Sequence, residues 1–208
     1  SEYSPYIYTV ICDAAPLTST SAEATEIEKI TDIRGSHTDA NTAKQIARDT
    51  LFIKGYRKDE FETLDINEST TSPIDWKHGD CVYAYAVTLR RERFSVYIET
   101  TPNNSNVTGN SIGEIEGPLF YVVPTLLLSS GDDPLCNQRL HIQRVCSSIE
   151  AAKQSLATVL WEGSTNHYKI QCHISDGCRI EYWVQGNNLM QVIGTNGEGK
   201  TEVIIRVP

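Results

Sequence analysis

The chain has no long apolar run. Its longest candidate, Leu119 to Leu128, is ten residues and contains Pro124. A membrane span needs roughly 18 consecutive apolar residues, so no membrane span is expected. Positive charge is also scarce: 18 Lys and Arg stand against 27 Asp and Glu, a formal net charge of -9 over 208 residues. Phosphate contact needs clustered Lys and Arg, so no nucleic-acid partner is expected. No Cys-x-x-Cys pair occurs, and the closest cysteines, Cys172 and Cys178, are six apart. Zinc sites usually need two close pairs of ligands, so no metal or other cofactor is expected. The chain opens without a charged leader and apolar stretch, and any signal peptide is expected to have been removed.

Catalytic signatures are missing as well. There is no H-E-x-x-H pair. Gly194 and Gly199-Lys200-Thr201 have P-loop spacing, but the few residues after Lys200 leave no room for the helix a P-loop needs. A hairpin turn is expected there instead. The histidines are His37, His78, His141, His167 and His173. Positions 167 and 173 are near in sequence but roughly 20 Å apart along a strand. His78, beside Asp80, reads as turn polarity. Glu114 and Glu116 share a strand face and read as a solvated edge, and nothing singles out Glu181 as a partner. No residue is assigned a catalytic role.

What is present points to an oxidising compartment. The six cysteines, Cys12, Cys81, Cys136, Cys146, Cys172 and Cys178, are even in number and widely spread, which fits three disulfides. N-x-[ST] sequons fall at Asn67, Asn103 and Asn106, so glycosylation is expected at these asparagines. Together they predict a secreted, extracellular protein. Apolar residues make up only 39% of the chain, near the low end for globular proteins, so bridges are expected to reinforce a modest core.

Periodicity predicts an α+β fold of antiparallel sheets, each packed by a helix. Tyr6 to Cys12 is rich in β-branched and aromatic residues and reads as a strand. Residues 22–33 read as a short helix or an arm. Asp39 is a candidate N-cap for a helix over 40–54, with Gly55 as its stop. Residues 61–66 suggest a short strand. Residues 81–89 form a strand apolar on both faces, returning through the basic turn 90–93 to a strand over 94–98. That basic run reads as a solvated hairpin tip. Residues 112–123 supply one or two more strands. Ser129 to Pro134 is the best linker, separating an N-terminal lobe, 1–128, from a C-terminal lobe, 135–208. The second lobe opens with a strand over 140–145. A helix over 148–161 follows, introduced by the S-x-x-E box at Ser147 to Glu150. Strands follow at about 167–174, 178–185, 189–194 and 201–207.

The halves share an order of parts that suggests two related lobes from an internal duplication. Ala43-Lys44-Gln45 matches Ala152-Lys153-Gln154. Cys81 has Tyr83, Tyr85 and Val87 at the offsets where Cys178 has Ile180, Tyr182 and Val184. If Cys12 corresponds to Cys146 and Cys81 to Cys178, each lobe carries one bridge, Cys12–Cys81 and Cys146–Cys178, leaving Cys136–Cys172. Six cysteines allow 15 connectivities.

The motif Gly79-Asp80-Cys81-Val82-Tyr83, preceded by a Cys-led helix, resembles secreted fungal proteins of the necrosis-inducing effector domain and the small α/β killer toxins. The pattern covers about residues 1–100 and more faintly 140–195. The second copy departs from it, because Gly177 is adjacent to Cys178. The resemblance implies a secreted effector or toxin that binds a host or competitor protein without catalysis. Two alternatives remain: an extracellular hydrolase inhibitor of cystatin-like plan, wedging its 101–111 loop into a target, and a secreted hydrolase with an unrecognised site. A binder should expose an aromatic patch, for which Tyr3, Tyr6, Tyr8, Phe94 and Tyr97 are candidates.

Overall fold

The structure is a computed structural model. It describes residues 3–17, 29–68, 76–125, 139–152, 154–155, 167–174, 178–185, 189–196 and 199–206. The proposed linker 129–134, Cys136 and the last part of the 148–161 helix lie outside these residues, as does most of the 22–33 segment.

Strand β1 (Tyr6–Pro16) is an interior strand of the first sheet. It pairs antiparallel with β2 (Ile30–His37) on one side and β5 (Glu92–Pro102) on the other. Beyond β5 lie β4 (Val82–Thr88) and the edge strand β3 (Phe61–Ile66). β1 alternates Ile7, Thr9 and Ile11 with Val10 and Cys12, and all five are buried. Both faces of this sheet are therefore covered, as a strand apolar on both sides requires.

One face is covered by α1 (Ala40–Ile53). Its Ala43, Ala47 and Leu51 pack on Val10, Cys12, Ala84, Ala86, Phe94 and Val96. Small residues on the helix let its axis approach the sheet closely. The ends follow the sequence reading. The Asp39 carboxylate accepts from Thr42 N–H at 2.6 Å, which occupies one of the free N-terminal donors. Gly55, at φ +96, closes a Schellman motif: its N–H donates to Phe52 O at 2.9 Å and Tyr56 N–H to Leu51 O at 3.1 Å.

The opposite face packs on a second antiparallel sheet. That sheet runs β11-β10-β9-β8-β6-β7, with β6 Leu119–Thr125, β7 Arg144–Cys146, β8 His167–Ile174, β9 Cys178–Gln185, β10 Leu189–Asn196 and β11 Gly199–Arg206. Ile7, Ile11, Ile33, Val82 and Tyr97 share one core with Leu119, Tyr121, Val123, Ile142 and Val145. Helical residues 149–152 and 154–155 lie on the far side, where Ile149, Ala151 and Ala152 meet Phe120, Val122 and Cys146. Antiparallel sheets with few helices are the α+β class expected. Buried hydroxyls cross the join: Ser36 Oγ lies 2.8 Å from Thr9 Oγ1 and 3.0 Å from Tyr121 Oη.

The strands expected at 61–66, 167–174 and 178–185 are present, and so is the hairpin 81–98. Ile30–His37 is a strand rather than a helix or an arm, because its pairing with β1 overrides a weak local pattern. The halves share an order of parts but not a pairing scheme. β1, before α1, pairs with β5, the third strand after that helix. β7, before the second helix, pairs with β6.

The disulfide expectation needs correcting for three cysteines. Cys12, Cys81 and Cys146 are free, Cys12 and Cys146 buried and Cys81 exposed. β5 lies between β1 and the start of β4, so Cys12 and Cys81 are two strand spacings apart, about 9–10 Å. A bridge needs Cα atoms within about 7 Å. Cys146 and Cys178 lie on strands three spacings apart, about 14 Å. Burial pushes the Cys12 thiol up to about 12, so it packs as a small apolar side chain.

His37 is 3% exposed and neither ring nitrogen has a partner among the described residues. Burial lowers its pKa from the usual 6.5, against the opposing pull of Glu114 and Asp39. The folded state therefore binds fewer protons than the unfolded chain below about pH 6.5. Stability is complete above that pH and falls as pH drops towards the lowered folded pKa. Urea midpoints measured from pH 7.5 to 5 should decline, and His37→Gln should flatten the slope. An equal slope in the variant would exclude His37 as its source.

Candidate functional site

One cross-strand row spans the first sheet. Thr31 faces Asp13, Asp13 faces Ser95, Ser95 faces Tyr85 and Tyr85 faces Asp65. Residues directly opposite one another share a face, and this face is the one turned towards the second sheet. The neighbouring row, Ile33, Ile11, Tyr97 and Val82, belongs to the shared core. The polar row lies beyond that apolar cover, and its Asp13, Ser95 and Tyr85 line a cavity of about 170 Å³ with Ala15, Lys29, His78, Arg93 and Arg139.

The acids here are already paired. Asp13 accepts from Lys29 Nζ at 2.8 Å and from Thr31 Oγ1 at 2.7 Å. Asp65 Oδ2 lies 2.8 Å from His78 Nε2. The His78 ring stacks on Tyr85 at 4.1 Å and meets the edge of Trp76 at 4.9 Å. Tyr97, in the neighbouring core row, accepts from Leu140 N–H at 2.8 Å through its hydroxyl. Burial first, and then Asp13, hold its pKa far above the usual tyrosine value.

Several donors are unpaired. Among the described residues, neither the Arg93 guanidinium nor the Ser95 and Tyr85 hydroxyls have a hydrogen-bond partner. Arg139 donates one bond, to His78 O at 3.2 Å, and its guanidinium sits 5.5 Å from the Tyr97 ring centre. Gly79 has φ +94, and a Cβ there would stand 3.0 Å from Arg139 Nη2. The glycine thus gives the loop its turn and leaves Arg139 its place. Arg90 and Arg91, both exposed, lie in the turn beside the cavity, where Leu17 N–H donates to Arg91 O at 2.6 Å. Arg91 Nη1 also lies 3.8 Å from Glu62 Oε2, so part of the charge in this turn is matched.

Sequence reasoning missed this site. His78 pairs with Asp65, thirteen residues away, rather than with its neighbour Asp80. Arg93 points into the cavity although the basic run read as solvated. Glu114 and Glu116 are exposed, as expected of an edge, and the buried His37 pairs with Glu114 in an isolated antiparallel β-bridge. His141 Nδ1 lies 2.6 Å from Glu99 Oε1. Of the aromatic candidates, Tyr3 and Tyr6 are exposed, whereas Phe94 and Tyr97 are core residues. The 101–111 loop is fastened down, with Ser105 Oγ donating to Val145 O at 3.2 Å.

The sequons differ in access. Asn103 is 7% exposed, and its Nδ2 donates to Ser4 O at 3.0 Å and Val107 O at 2.8 Å. Asn67 is half-buried and donates to Val82 O at 3.3 Å. Asn106 is exposed at the loop tip. Expressed in a secretory host, the protein should carry glycan at Asn106 and none at Asn103, read by peptide mass spectrometry; full occupancy at Asn103 would contradict this packing.

Comparison of the chain with family models, with curated proteins and with solved structures finds no match in any of the three. None of them supports the resemblance to effectors and killer toxins expected from the motif at Gly79 to Tyr83.

Proposed function

We infer that the chain is a secreted protein that acts by binding a protein partner of a host or competitor, without catalysing a reaction. The observation that carries this reading is the cavity at the end of the first sheet. At about 170 Å³ it is below the roughly 300–1,000 Å³ of small-molecule sites, yet it is lined with unpaired donors. Such a socket suits one side chain presented by a larger surface. The exposed Arg90 and Arg91 beside it suit the charged rim of a protein interface.

A hydrolase is the second reading, because His78 and Ser95 line one cavity and Asp65 pairs with His78. Nucleophilic catalysis needs a base within hydrogen-bond reach of the hydroxyl. Here His78 lies flat on Tyr85 and makes no hydrogen bond to Ser95. The test is to measure binding of labelled protein to host or competitor cell surfaces alongside turnover of generic ester, peptide and glycoside substrates. Saturable, protease-sensitive binding lost in Arg93→Glu is expected. Turnover lost in both His78→Ala and Ser95→Ala would establish the hydrolase instead.

A further inference from the structure

We propose that the socket is a carboxylate receptor that takes the side chain of a single Asp or Glu from the partner. The idea rests on the binding reading above and specifies its chemistry.

The argument is one of charge balance. Asp13 is matched by Lys29 and Thr31, and Asp65 by His78. Arg93 and Arg139 face the same cavity with no carboxylate partner among the described residues. An incoming anion is the group that completes this arrangement. Guanidinium groups bind planar carboxylates through paired N–H donors. The hydroxyls of Ser95 and Tyr85 are opposite one another in the sheet, and each adds a donor.

The acid in the wall also selects the charge of the ligand. A phosphate dianion would lie close to Asp13 and be repelled, whereas a carboxylate brings one charge. The Tyr85 and His78 rings, stacked at 4.1 Å with Trp76 at their edge, offer an apolar wall for a methylene stem. A side chain with one carboxylate on a short stem matches these walls, and the volume leaves no room for a whole sugar ring or peptide.

The test uses the intact protein and small probes. N-acetylglutamate N-methylamide is titrated while backbone amide and Arg Nε signals are followed by NMR. N-acetylglutamine N-methylamide, N-acetylglycylglycine, methyl glucuronide and inorganic phosphate are titrated in parallel. The glutamate probe should give saturable shifts at Arg93, Ser95 and Tyr85, with millimolar affinity that weakens as salt is raised. The glutamine probe should give none. Arg93→Met should weaken binding tenfold or more, and Arg93→Lys should restore only part, because an ammonium lacks the fork. Arg93 is half-exposed, so a spectrum unchanged away from β4 and β5 will show that the variant folds. Absence of saturable shifts, survival of binding in Arg93→Met, or tighter binding of the terminal carboxylate, glucuronide or phosphate would overturn the proposal. Probe binding reads the socket alone and cell-surface binding reads the function, so either can fail without the other.

Discussion

Tyr97→Ala should destabilise the protein by about 3–5 kcal/mol, the usual cost of emptying a large aromatic site. Tyr97 is 1% exposed and lies where the two sheets meet, beside Ile7, Ile11, Tyr121 and Val145. Its ring belongs to the shared core while its hydroxyl accepts from Leu140 N–H. Alanine would open a void and remove that acceptor together. Tyr97→Phe separates the two effects. It keeps the ring and leaves the Leu140 N–H without its acceptor, at about 1–3 kcal/mol. Urea unfolding followed by circular dichroism measures both. Equal stability of Tyr97→Ala and the parent would mean that the sheets do not share this core.

Leu51→Ala should cost about 2–5 kcal/mol, and it probes the other side of the first sheet. Leu51 is fully buried on α1 and belongs to the cluster with Val10, Phe94 and Val96. The buried helix residues beside it in that cluster are Ala43 and Ala47, and Ile46 packs there only partly buried, so the gap is filled poorly from α1. Ile53, on the same helix, is 57% exposed, and Ile53→Ala should change stability by less than about 0.5 kcal/mol. A comparable loss from both variants would place the buried face of α1 elsewhere. Leu51 and Tyr97 lie on opposite faces of the sheet in separate clusters. Their effects should add to within about 0.5 kcal/mol.

Local elements were largely legible in the sequence. The Asp39 cap, the Gly55 stop and the apolar alternation of β4 each depend on neighbours a few residues away. The reading of β1 stopped short, at Cys12. Asp13-Ala14-Ala15-Pro16 lacks the β-branched residues that mark a strand, yet β1 continues to Pro16 because β5 pairs with it along the whole length. Those extra residues bring Asp13 and Ala15 to the cavity. β2 was hidden for a similar reason: Asp32 and Arg34 break its pattern, and pairing with β1 holds it in place. The Cys12–Cys81 pairing failed because spacing along the chain does not reveal that β5 separates the two residues.

By itself, the sequence determined the acidic balance, the absence of a long apolar run, the capped helix and the alternating strands. All of these arise from composition or from contacts close along the chain. Only the tertiary structure decided that Asp13, Asp65, His78, Tyr85, Arg93, Ser95 and Arg139 meet. They come from four strands and two loops, and their meeting depends on strand order and register. Register is set by which faces the helix and the second sheet bury, so it belongs to the packed molecule and not to any one segment.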